Sequence, residues 1–128
     1  MSTALNILLV EDSDDIRIIA VDFLQAVGHS VHAVGSAEEA LQELASGSTF
    51  DALITDVSLP GISGLALAEE VAPRFPRMAV VISSGYNLLT PELLKKKLGR
   101  EAFLLTKPYE FDTLEQVLAQ IAQAQATS

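Results

Sequence analysis

Four short segments carry residues whose types could act together on a phosphoryl group. Glu11-Asp12 follow the run Asn6-Ile7-Leu8-Leu9-Val10, with Asp14 and Asp15 just beyond. Asp56 follows Ala52-Leu53-Ile54-Thr55, and Gly61 and Gly64 come soon after and permit a tight loop beside it. Ser83-Ser84-Gly85 follows Ala79-Val80-Val81-Ile82, and Lys107-Pro108 follows Phe103-Leu104-Leu105-Thr106. Carboxylates gathered in one place repel each other unless a cation sits among them. Hard oxygen ligands on a partly open loop suit Mg2+, which keeps several waters and accepts one or two carboxylates plus phosphate oxygens. Lys107 can act as a point charge toward an anion, and Ser84 can donate a hydrogen bond to it. A carboxylate nucleophile, a divalent metal, a cation and a hydroxyl donor are the parts that phosphoryl transfer to an aspartate requires.

These segments can meet only if the elements between them bring their ends together. Five apolar runs, the four above and Ser30 to Val34, alternate with five helix-period patterns. Three of the runs are nearly continuous in Val, Ile and Leu, as a strand buried on both faces reads. Ile16, Ile19, Ala20, Phe23, Leu24 and Val27 form a helical stripe expected to face the core, and Gly28 offers its C-terminal cap. Ala37, Ala40, Leu41 and Leu44 repeat the pattern behind Ser36, with Glu39 placed for a capping box. A less regular helix is expected from Ser63 to about Phe75 and a short one from Pro91 to Leu98, capped by Thr90. Leu114, Val117, Leu118, Ile121 and Ala122 mark the last helix.

Strict alternation predicts an α/β domain, (βα)5, with a doubly wound parallel five-stranded sheet and right-handed crossovers. Ligands of such a sheet bind outside the carboxyl ends of its strands, where strand order reverses. All four chemical segments stand at those ends.

Composition narrows the function. The 128 residues suit one domain, with a core of about residues 5 to 125 and no output domain expected. There is no cysteine, which excludes disulfides, thiol catalysis and thiolate metal sites. His29 and His32 read as turn and strand residues. No apolar run approaches the ~20 residues of a membrane span, and no signal-type segment opens the chain, so a cytoplasmic protein without membrane contact is expected. A formal charge of −9 disfavours nucleic acid as a partner. The one basic run, Lys95-Lys96-Lys97, reads as a solvated helix face that could also meet an acidic partner.

The chain resembles a response-regulator receiver domain, the family of two-component signalling and of the single-domain chemotaxis regulator. The resemblance rests on Leu8-Leu9-Val10-Glu11-Asp12, Asp56 to Gly64, Ser83-Ser84-Gly85 and Thr106-Lys107-Pro108-Tyr109, in that order and with the strand spacing intact. It implies the strand order 2-1-3-4-5. It further implies Asp56 as phospho-acceptor, Ser84 as the hydroxyl that turns toward the phosphoryl group, and Lys107 as the family's lysine, followed by a cis bond to Pro108. For Mg2+ it implies Asp12 and Asp56 as direct ligands, the backbone carbonyl of Ser58 as another, and Glu11 acting through bound water. A one-residue slip would exchange Ser83 for Ser84, and Ser84 is preferred because Gly85 directly follows it.

Departures accompany the match. The family's aromatic switch slot, three residues before the lysine, holds Leu104, while Phe103 falls on the opposite face of its strand. Glu11 replaces the commoner Asp of the acidic pair, and Ser58 and Tyr86 stand where the family tunes acyl-phosphate lifetime. The resemblance implies a stand-alone, phospho-accepting signalling domain, not a metabolic enzyme, and a monomer or weak dimer. Its donor would be a sensor histidine kinase or a histidine phosphotransfer protein. Its target would dock on the face of the fourth helix, fifth strand and fifth helix. Without an aromatic rotor, the signal is expected to travel through loop and fourth-helix movement. A flavodoxin-like cofactor binder is disfavoured because Glu11 to Asp15 would repel flavin phosphate; an aspartate-nucleophile phosphatase, because Ser58 stands where its second acid belongs.

Overall fold

The structure, a computed structural model, describes residues 4–85, 89–106 and 110–126. The expected alternation is present: β1 (Asn6–Val10), α1 (Asp14–Ala26), β2 (Ser30–Val34), α2 (Ala37–Ala45), β3 (Ala52–Asp56), α3 (Gly64–Val71), β4 (Ala79–Ser84), α4 (Pro91–Leu98), β5 (Phe103–Thr106) and α5 (Phe111–Ala126). The strands form one sheet in the order β2-β1-β3-β4-β5, every pair parallel. No helix among the described residues is long and apolar enough to cross a membrane.

Side chains alternate across a strand, and the alternation sorts the core. Ile7, Leu9, Ile54, Val81 and Leu105 face α1 and α5, packing with Leu24, Leu114, Leu118 and Ile121. Their neighbours Leu8, Val10 and Leu53 face α2 and α3, packing with Ala40, Leu44, Leu67 and Val71. Val80 and Ile82 meet Ala68, Leu94 and Leu98 of α3 and α4. Both faces are covered, so these strands carry almost no polar residue until they end.

Four helices open on a hydroxyl that accepts an otherwise orphaned N–H: Ser13 from Ile16, Ser36 from Glu39, Ser63 from Ala66 and Thr90 from Leu93. The box expected at Ser36 is offset by one residue, because the Glu39 carboxylate accepts from Gly35 N–H, at 3.5 Å.

Two expectations require correction. Ile16 and Ile19 do not join the core; they are 52% and 55% exposed, and only Ala20 and Leu24 of α1 are buried. The stripe of α1 turned toward the core runs instead through Arg17, Ala20, Val21 and Leu24, one residue or about 100° round the helix from Ile16 and Ile19. Phe23 is half-buried and stacks on Phe111 of α5, with ring centroids 4.4 Å apart. The third helix ends at Val71 and not near Phe75, because Pro73 has no N–H to continue the ladder. The chain then turns, with Phe75 N–H still donating to the Val71 carbonyl at 2.9 Å.

Gly64 is required by close approach. A Cβ there would lie 1.7 Å from the Asp56 carbonyl oxygen and 2.8 Å from Thr55 Oγ1. We expect Gly64→Ala to lower stability by about 2–3 kcal/mol in urea unfolding. Gly85→Ala, whose Cβ would meet nothing within 4 Å, should change it by less than about 0.5 kcal/mol.

His29 sits before β2, and its Nδ1 accepts Leu5 N–H at 3.0 Å. Burial lowers its pKa from 6.5, partly offset by Glu115. The unfolded chain therefore takes up this proton first as pH falls, so the stability linked to neutral His29 is complete above pH 6.5 and is lost below it. His29→Gln, whose amide oxygen can accept the same N–H, should flatten the fall in melting temperature that begins near pH 6.5.

Candidate functional site

The register brings the sequence-derived residues to one edge. Val10 pairs with Thr55, Asp56 with Ser83 and Ser84 with Thr106. With strands about 4.8 Å apart, the ends of β1, β3, β4 and β5 make a rim about 15 Å long.

At the end of β1 the ladder continues one residue, since Glu11 N–H donates to the Val34 carbonyl at 3.1 Å. Glu11 is buried, and its carboxylate accepts Ser13 N–H at 3.1 Å, while Asp12 is exposed. Arg17 returns from the first turn of α1. Its Nη1 donates to the Glu11 carbonyl at 2.8 Å, and its Nη2 bonds the Asp14 carboxylate. The β1–α1 loop is thus closed by Ser13 on one side and by a guanidinium on the other.

At the end of β3, Asp56 is half-buried, and its carboxylate accepts Ser58 N–H at 3.3 Å. Thr55 Oγ1 donates to the Asp56 carbonyl at 3.0 Å, and Val57 N–H donates to the Ser83 carbonyl at 2.8 Å. The loop from Val57 is cinched where Gly64 N–H donates back to the Val57 carbonyl at 3.0 Å. Gly61 turns it with φ +75, and a carboxylate oxygen of Glu38, reaching over from α2, accepts Ile62 N–H at 3.5 Å.

Ser83 and Ser84 end β4, both buried, and the exposed Gly85 leaves open space where a side chain would stand. Ser83 shares the sheet face of Val81, and Ser84 shares that of Val80 and Ile82. Lys107, Pro108 and Tyr86 lie outside the described residues, so the lysine, its cis bond and the tyrosine position carry no structural description. Phe103 and Leu104 fall on opposite faces as expected. Phe103 packs on the α1 and α5 side, and Leu104 packs with Val80, Ile82 and Leu94.

Among the described residues no three carboxylate or imidazole side chains form a ready metal cage. The rim offers a sparser all-oxygen set: the exposed Asp12, the half-buried Asp56 and the backbone carbonyl of Ser58, with Glu11 behind them. Few protein ligands, all hard, fit Mg2+ retaining most of its water.

Sequence reasoning missed Arg17 and Glu38. Arg17 stands three residues after Asp14, a spacing that brings side chains together on a helix, and that signal was available. Glu38 meets a loop 24 residues away, and nothing local marks that contact.

Comparison with known proteins bears on this rim. The family model described as "Response regulator receiver domain" matches residues 7–119. The response regulator protein FleR of Pseudomonas aeruginosa is 34% identical over 122 residues, covering 95% of this chain and 25% of FleR. The sensor protein TorS of Escherichia coli is 30% identical over 124 residues, covering 97% of this chain and 14% of TorS. The chain therefore spans a quarter or less of these relatives. Among solved structures, response regulator protein TrrA from Thermotoga maritima, in complex with Mg2+–BeF, superposes with a TM-score of 0.79 at 27% identity, covering 91% of this chain and 97% of that one. With the strand order, the acid-bearing rim and a family match running from Ile7 to Ala119, the chain belongs to the response regulator receiver domain family.

Proposed function

We propose that this receiver domain accepts a phosphoryl group from a phosphohistidine donor onto Asp56 and signals through a shape change read by another protein. The observation that carries the reading is the placement of Glu11-Asp12, Asp56 and Ser84 at the ends of the adjoining strands β1, β3 and β4, where Gly85 leaves room for a phosphodonor. An Asp56 carboxylate oxygen attacks phosphorus in line as the bond from phosphorus to the donor imidazole nitrogen breaks. Asp12, Asp56 and the Ser58 carbonyl would hold Mg2+, with Glu11 acting through its water. When bound, the ion neutralises the charge that builds on the phosphoryl oxygens. Ser84 donates a hydrogen bond to one of those oxygens, and Lys107, from its place after β5, supplies a positive charge to another. The domain thereby catalyses only its own phosphorylation and dephosphorylation.

The donor is a sensor histidine kinase or a histidine phosphotransfer protein, in a cytoplasmic setting. The output surface is the α4–β5–α5 face, where Lys95 pairs with Glu101 at 2.8 Å and Lys96 and Lys97 are exposed. Contacts from the phosphoryl group favour one of two arrangements of the rim loops. Leu104 belongs to the apolar cluster joining β4 to α4, so a shift of the β4 end is passed on by packing, without a turning aromatic ring.

Incubation with acetyl phosphate and Mg2+, followed by intact mass measurement, should add one phosphoryl group that is lost in Asp56→Asn and without metal. No adduct, together with no Mg2+ binding, would sink the proposal. Glu11→Gln keeps an acceptor for Ser13 N–H but drops the charge, and should weaken Mg2+ binding about tenfold by calorimetry. After beryllofluoride activation, amide shift changes should reach α4; changes confined to the rim would refute the proposed route.

A further inference from the structure

A second concavity lies at the opposite edge of the sheet. It is a half-open cavity of about 860 Å³ at the amino ends of β3, β4 and β5, bounded by the α3–β4 connection and the last turns of α5. The volume is that of a small-molecule site. Its walls include Phe75, Met78, Phe103 and Ile121.

The charge at its edge is the unusual feature. Arg74, Arg77 and Arg100 all line the cavity, three of the four arginines in a chain of formal charge −9. Asp51 lines it too, but its carboxylate accepts Asn6 N–H at 2.7 Å. Arg74 is half exposed and pairs with Glu70 at 3.6 Å, a contact that solvent screens. Arg77 is exposed and makes no hydrogen bond or ion pair among the described residues.

Arg100 is pinned. Its Nη1 donates to the Pro76 carbonyl at 2.6 Å and its Nη2 to the Met78 carbonyl, while its Nε is buried and meets no acceptor among the described residues. Burial lowers its pKa from the ordinary guanidinium value, the direction expected of a cation partly stripped of water, though it stays charged. Held by two carbonyls and partly desolvated, this guanidinium presents a fixed positive charge to the cavity, and the attraction it exerts on an anion there is weakly screened.

We propose that this cavity binds a small organic anion, a flat apolar ring system bearing phosphate or carboxylate, with the ring against Phe103 and Ile121 and the charge toward Arg77 and Arg100. Guanidinium recognises either head group through paired N–H donors. The site is separate from the phospho-acceptor, because Asp51 and Asp56 stand about 16 Å apart along β3.

The test is a titration of the full chain, followed by amide shifts in nitrogen–proton spectra, with 1-naphthyl phosphate, 1-naphthoate and uncharged 1-naphthalenemethanol. The expected result is saturable shifts at Phe75, Met78, Ala79, Arg100 and Phe103 with an anionic probe, and much weaker ones with the alcohol. The tighter of the two anions identifies the head group. Arg77→Gln should weaken binding roughly tenfold, while Lys96→Gln, which removes the same charge outside the cavity, should leave it unchanged. Equal binding of the alcohol, shifts centred on Asp12 or Asp56, equal losses in both variants, or no saturable shifts with any probe would overturn the proposal.

Discussion

A parallel strand cannot turn straight back into its neighbour; the chain must cross over and re-enter from the same edge. Every strand of this domain therefore delivers its carboxyl end to one side of the sheet, and all the polar chemistry of the rim depends on that constraint. Because the strand interiors are sealed between two helical layers, they are apolar almost throughout. Apart from Thr55 and the half-covered edge strand β2, the residues able to carry charge or a reactive hydroxyl stand at the edge: Glu11, Asp12, Asp56, Ser83 and Ser84. Fold and site are two readings of one arrangement.

That same constraint governs what the sequence reveals. Runs such as Ala79-Val80-Val81-Ile82 could be placed closely because burial on both faces leaves an unbroken apolar signature. The rim was legible for the same reason, since the site begins where the signature stops. Helix burial was less legible. Periodicity tells which side of α1 is apolar, but not that the core takes the neighbouring stripe of Ala20, Val21 and Leu24 and leaves Ile16 and Ile19 exposed. Side-chain reach was hardest to see: the Glu38 contact with Ile62 and the Thr55 bond to the Asp56 carbonyl depend on how loops lie once the crossovers are made.

The two edges of the sheet contrast in charge. Acids gather at the carboxyl edge, whereas three arginines surround the cavity at the amino edge. β3 and β4 run between them, bonded to each other along their length. Both strands are close-packed between helical layers, so the two edges are joined by a stiff element of low compressibility.

The Arg17 contact has an entropic consequence. A free loop between a strand and a helix samples many conformations, and any ion that orders it must overcome that loss. Here Ser13 N–H holds the Glu11 carboxylate and Arg17 holds the Glu11 carbonyl, so the segment bearing Asp12 is tethered on both sides. The acidic hook is preorganised, so any partner it meets finds a segment that has little conformational freedom left to lose.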